Sequence, residues 1–166
     1  MGPPGVGKRG EQRVPMLTTI ERVLMLQELD IFRFATTEHV AQFASIAHER
    51  YLGPREEVFR PGDANDHLLL VVRGRIQLLN IQGEDLRVIE QAPLNIWEFF
   101  AQARVDYEAR AIDHSLILYA STENVEELLT GEPEFCFAVL RHLSRLGFRQ
   151  LNVRGLLNSD RLSDVS

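Results

Sequence analysis

Apolar residues recur along this chain first with a helical period, then with a strand period, then with a helical one again. Ile20, Val23, Leu24, Leu26 and Leu29 form a helical stripe. Thr18 or Thr19 stands where a cap would start that helix, with Glu21 in its first turn. Ile31, Phe32 and Phe34 follow as a bulky apolar link. Val40, Phe43, Ala44 and Ala47 fall at i, i+3, i+4 and i+7, which predicts a second amphipathic helix beginning near Thr36 or Thr37. Gly53-Pro54 closes the region.

The period then shortens. Glu57 to Arg60 leads into a turn at Pro61-Gly62-Asp63, and His67 to Val72 is an apolar run bounded by turn signals. Arg75-Ile76-Gln77-Leu78 alternates as a half-buried strand does. Asn80 to Asp85, with Gly83, reads as a hairpin turn between that strand and Leu86-Arg87-Val88-Ile89. Ser115 to Tyr119 is a further strand. Short strands at regular spacing predict an antiparallel barrel or jelly roll. Val125, Leu128 and Leu129 then mark a short helix that stops at Gly131, and Pro133 suits the first position of the next. Cys136, Val139, Leu140, Leu143 and Leu146 are expected on the buried face of that last helix, with Val153 and Leu157 continuing it.

The fold class is therefore mainly β with flanking helices. Residues 1–15 read as a disordered Gly/Pro tail and 159–166 as a frayed polar one. Between them lies one domain at 17–150, with helices over 18–50, a β-roll over 51–120 and C-terminal helices over 121–157. A length of 166 residues suits one domain with a real core. A lone cysteine, Cys136, excludes a disulfide framework and cysteine-based zinc ribbons. The net charge of −6 weighs against a nucleic-acid partner. No stretch reaches the ~20 apolar residues of a membrane span, and the N-terminus lacks a secretory apolar core, so a cytoplasmic protein without membrane contact is expected.

The stretch from Gly53 to Ile76 resembles the cyclic-nucleotide-binding domain family, a double-stranded β-helix or jelly roll. Gly62, Asp63, Asp66 and Gly74 occupy that family's turn positions, the glycines for positive φ and the aspartates to bond turn amides. Thr18 to Leu24, Asp30-Ile31-Phe32, Ala109 to Leu118 and Glu126 to Glu134 look like its opening helix, apolar link, last two strands and closing helices. The resemblance covers about residues 17–148 and implies an eight-stranded β-roll.

It also implies a phosphate-binding cassette: a short helix with Phe-Gly-Glu, then a loop with an Arg that pairs with the cyclic phosphate. The matching segment here runs from Ile96 to Arg110. Trp97, Glu98, Phe99 and Arg104 are its candidate ligand residues. Glu98 fits the ribose-binding carboxylate, while Trp97 stands where the glycine is expected. The phosphate Arg is missing: counting forward from Glu98 its place falls on Tyr107 or Glu108, and counting back from Ala109-Arg110-Ala111 it falls on Val105. Arg104, one residue away, takes the role only if the loop is shifted. Glu98, Asp106, Glu108 and Asp113 outnumber Arg104 and Arg110 across the segment, the wrong balance for desolvating an anion.

The expectation is a non-catalytic regulatory or sensing module with lost or altered nucleotide binding, and no cofactor. The alternative is a working cAMP or cGMP receptor using Glu98 and Arg104. A metal-dependent jelly-roll enzyme is a third class. Of His39, His48, His67, His114 and His142, only His67 and His114 fall in expected strands, and no His-x-His pair exists, so no metal is expected. Gly2 to Lys8 has the spacing of a phosphate-binding loop, but Arg9 replaces the Ser or Thr that such a loop needs. Arg141, Arg145 and Arg149 make one stripe on the last helix, and the opposite face, with Leu143, Leu146, Val153 and Leu157, suits either a homodimer or packing on the barrel. The opening helix looks like that of domains carried by a larger bacterial transporter or helical-repeat protein.

Overall fold

A computed structural model of the chain describes residues 15–153. The tails, the Gly2–Lys8 run and Leu157 lie outside the described residues. The chain opens with helix α1 (Thr19–Gln27), a single 3-10 turn (Asp30–Phe32) and helix α2 (Thr37–Ile46). Both helices start where threonines can cap them. The Thr18 hydroxyl accepts from the Glu21 amide, the Glu21 carboxylate accepts from the Thr18 amide, and Thr36 makes the same reciprocal pair with His39. Arg22 ties α1 to the first strand through a 3.0 Å ion pair with the largely buried Glu49 and a 3.0 Å bond to the Ala47 carbonyl.

Eight strands follow: β1 (His48–Leu52), β2 (Glu57–Phe59), β3 (His67–Arg73), β4 (Ile76–Leu79), β5 (Asp85–Ile89), β6 (Ala92–Pro93), β7 (Glu108–Ala111) and β8 (Ser115–Ser121). A short helix α3 (Ile96–Ala101) interrupts them, and α4 (Thr122–Gly131) and α5 (Pro133–Val153) end the described chain. The strands form two four-stranded antiparallel sheets, ordered β1-β8-β3-β6 and β2-β7-β4-β5. That order is a jelly roll, as expected. The roll starts at His48 rather than residue 51, because Ala47 turns the chain out of α2 directly into β1.

The two long apolar strands are buried on both faces. Leu69 and Val71 of β3 and Ile117 of β8 point between the sheets, against Ile76, Leu78 and Ala109. Leu68, Leu70 and Val72 of β3 and Leu116, Leu118 and Ala120 of β8 point the other way, against Phe43, Phe135 and the helices. Burial on two faces removes the need for polar alternation, so both strands read as continuous apolar runs. β4, at the outer sheet, keeps the alternation, with Ile76 and Leu78 buried and Gln77 half-buried.

Several expected placements are corrected. Ile20 and Leu24 are exposed, and only Leu26 and Leu29 of that stripe are fully buried. Cys136 and Leu140 face solvent on α5, whose packed stripe is Phe135, Ala138, Val139 and Leu143. Apolar residues on more than one side of α5 made the stripe ambiguous from spacing alone. His114 lies in the turn before β8, not in a strand. The Asp63 carboxylate accepts from the Arg60 amide at 2.8 Å, as a turn aspartate should, whereas that of Asp66 bonds the His67 ring at 2.8 Å. No helix among the described residues is long and apolar enough to cross a membrane.

Gly62 and Gly74 both take positive φ, at 91° and 80°. Space distinguishes Gly74: a Cβ there would lie 2.2 Å from the Ser115 hydroxyl and 2.6 Å from the His114 carbonyl. Gly83 has a similar φ of 81° with open space around it. Gly74→Ala is expected to cost about 2–5 kcal/mol, from left-handed strain plus overlap, and Gly83→Ala about 1–2 kcal/mol, from strain alone. Urea denaturation midpoints of the two variants check the ranking.

Candidate ligand cleft

The cassette helix α3 is held by one buried amide. Asn95, immediately before it, is fully buried. Its Oδ1 accepts from the Leu69 amide at 3.0 Å, and its Nδ2 donates to the His67 carbonyl at 2.7 Å and to the Asn65 side chain. The Leu94 amide adds a 2.8 Å bond to the Leu69 carbonyl. The side chain therefore serves β3 and leaves the amides of α3 uncapped. Sequence reasoning missed Asn95. The available signal was a lone polar residue between Leu94 and Ile96 in an apolar stretch.

The four candidate residues separate. Glu98 is half-buried and lines a cleft of about 580 Å³. Trp97 lines the same cleft and stays 55% exposed, so it sits at the rim without plugging it. Phe99 turns away into the helix-facing core. Arg104 is exposed, and its Nη1 donates to the Gly62 carbonyl at 2.8 Å. It is absent from the cleft lining.

Val105 and Tyr107, two of the three positions where the phosphate Arg was counted, are buried in the core between the sheets. The Val105 backbone pairs with the Gly62 and Asp63 turn, which pins the loop in place. Tyr107 stacks edge-on against Phe59 and donates its hydroxyl to the Leu94 carbonyl at 3.3 Å. Burial, and then the negative charges of Glu98 and Asp106, push its phenol well above the ordinary tyrosine range. The third position, Glu108, is half-buried and paired with Arg110.

The cleft opens at the edge of the sandwich where β5 and β6 stand. Asp30 of the 3-10 turn, Arg87 and Glu90 at β5, and His142 and Leu146 of α5 contribute to its walls. Burial lowers the His142 pKa, and Arg33 and Arg149 add to the effect against Asp30. Three carboxylates (Asp30, Glu90, Glu98) face one guanidinium (Arg87), and none of the four has an ion-pair partner among the described residues. Helix α5 is clipped over this region by Phe34, with the Arg141 and Arg145 guanidinium carbons 5.6 and 4.9 Å from its ring centroid. Two of the three stripe arginines thus have an intramolecular role. Among the described residues no three His, Cys, Asp or Glu side chains converge as metal ligands.

No family model and no curated protein matches the chain. Solved structures do. The N-terminal domain of a transcriptional regulator from Streptomyces coelicolor A3(2) is 22% identical with a TM-score of 0.69, over 86% of this chain and 99% of that one. The Thermus thermophilus catabolite activator protein is 22% identical with a TM-score of 0.63, over 81% of this chain and 63% of that one. A cAMP-bound PfPKA-R structure is 11% identical with a TM-score of 0.64, over 78% of this chain and 47% of that one. The fold is the cyclic-nucleotide-binding β-roll. In this chain α3 lies between β6 and β7, with Glu98 on the cleft.

The raised phenol has a consequence for stability. A group whose folded pKa lies above its unfolded value stabilises the native state below the unfolded pKa, here 10.0, and that contribution is lost as pH rises beyond it. Tyr107→Phe is expected to flatten the loss of stability above pH 10. Denaturation midpoints measured from pH 8 upward check this, and parallel curves for both proteins would refute it.

Proposed function

We propose that the protein is a non-catalytic regulatory or sensing module that keeps the cyclic-nucleotide-binding fold and has lost or changed its nucleotide. The observation that carries this reading is the burial of Val105 and Tyr107 where a phosphate-pairing guanidinium would stand. Losing an Arg–phosphate pair costs about 2–5 kcal/mol, ~30-fold to several thousand-fold in affinity. The cleft's excess of carboxylates works in the same direction and suits a neutral or cationic ligand. The clip between Phe34 and α5 makes α5 the element that would report an occupant to an attached or partner protein, such as a larger transporter or helical-repeat protein. Cytoplasm is the compartment this reading assumes.

The second reading, a working cAMP or cGMP receptor, rests on Glu98, which does line the cleft. Thermal unfolding separates the two. A ligand present at ~100 times its dissociation constant adds about 2.7 kcal/mol. The melting temperature is expected to be unmoved by cAMP or cGMP. A clear rise that disappears in Glu98→Ala would establish the second reading.

A homodimer completes the proposal. The outward side of α5 exposes Phe137, Leu140, Ser144, Phe148 and Leu151, spaced at three and four residues as in a two-helix seam. A second copy is the occupant such a seam suits, because a two-fold pairing lets each helix cover the other's exposed side chains. Light scattering is expected to give twice the 19.0 kDa chain mass, falling to one chain in Leu140→Glu. A monomeric parent protein would end this part of the proposal.

A further inference from the structure

We infer that the protein carries a second site, for a small organic phosphate, at the opposite edge of the sandwich from the cleft. This edge is where β1 of one sheet stands beside β2 of the other. A pocket of about 300 Å³ opens there, lined by Arg50, Val58, Phe59, Asp66, His67, Leu69 and Tyr119. Phe59 lines this pocket and Tyr107 lines the main cleft, so their edge-on pair lies between the two.

Strand register explains why polar groups gather here. Leu69 and Ile117 point between the sheets. Side chains alternate along a strand, so His67 and Tyr119 share that inward face. Arg50 is paired with Ile117 and His48 with Tyr119 across β1 and β8, which puts them on the same face again. At this edge, therefore, the inner face changes from aliphatic side chains to two imidazoles, a guanidinium and a phenol. Both histidine rings lie 5.6 Å from the Tyr119 ring, centroid to centroid.

Arg50 and Tyr119 bring donors to the pocket, and the carboxylates of Asp66, in its lining, and of Glu57 nearby have partners. Asp66 Oδ1 lies 2.8 Å from His67 Nδ1, so the carboxylate accepts from that ring nitrogen. The Glu57 carboxylate holds Arg60 at 2.6 Å. Arg50 uses Nη2 on the Glu57 carbonyl at 3.0 Å and keeps its remaining N–H groups. The Tyr119 hydroxyl has no hydrogen-bond partner among the described residues. A tetrahedral oxyanion has enough lone pairs to accept from the free guanidinium N–H groups of Arg50 and from the Tyr119 hydroxyl together. Val58, Phe59 and Leu69 supply apolar surface for the organic part of a monoester.

Histidine Cε1–H resonances of the full chain, followed by NMR at constant ionic strength, test the site. The probes are inorganic phosphate, phenyl phosphate and benzoate. Saturable shifts of His67, which lines the pocket, are expected with phenyl phosphate, at a dissociation constant of about 1 mM or below. Inorganic phosphate is expected to bind more weakly, and benzoate more weakly than phenyl phosphate. Arg50→Gln should weaken phenyl phosphate about tenfold or more, and Tyr119→Phe, which keeps the ring packing, about threefold. Glu98→Ala, in the other cleft, should leave the titration unchanged. Shifts that do not saturate, that persist unaltered in both Arg50→Gln and Tyr119→Phe, or that benzoate reproduces at equal affinity would overturn the inference.

Discussion

Two-sided burial of β3 and β8 is the constraint on which the rest of the structure depends. These strands pair along their length and offer one face to the opposite sheet and the other to the helices. A change of register by one residue would exchange the two apolar sets, and both sets are already matched to their partners. Truncating a fully buried leucine such as Leu70 or Leu118 to alanine typically costs about 2–5 kcal/mol, which makes this pair the least replaceable part of the core.

The ligand cleft inherits its geometry from that pair. Asn95 binds both backbone groups of β3 and the turn before it, so α3 sits where β3 puts it. Helix α5 packs through Phe135 and Val139 on the far face of the same strands and brings His142 and Leu146 to the cleft. An occupant wedged between α3 and α5 would thus act on two elements anchored to one rigid strand pair. Tyr107 and Val105 complete the inter-sheet core, and Asp30, Glu90 and Glu98 line the cleft.

Much of this was legible in the sequence where one physical signal dominated. The apolar runs of β3 and β8 and the turn glycines each had a single reading, and the structure agrees with it; the first cap, open between Thr18 and Thr19, falls on Thr18, and the second helix, expected near Thr36 or Thr37, is capped by Thr36. The family resemblance pointed to the segment that holds α3, and Glu98 of that segment lines the cleft. Signals failed where two readings competed. Helix α5 carries apolar residues on several sides, so Cys136 and Leu140 were expected inside and lie outside. Arg104 was a candidate by sequence distance alone, and a carbonyl forty-two positions away claims it. Asn95 left almost no trace, because one buried amide among apolar neighbours has no periodicity.

On the function proposed above, this cyclic-nucleotide-binding roll has no partner for a cyclic phosphate. The protein contains a single tryptophan, Trp97, and it stands at the rim of the cleft. Its emission reports entry of any ligand at that position without a label. Titrated with cAMP or cGMP to millimolar concentration at constant ionic strength and corrected for absorbance, Trp97 emission is expected to stay unchanged. A saturable change with either nucleotide would contradict the account.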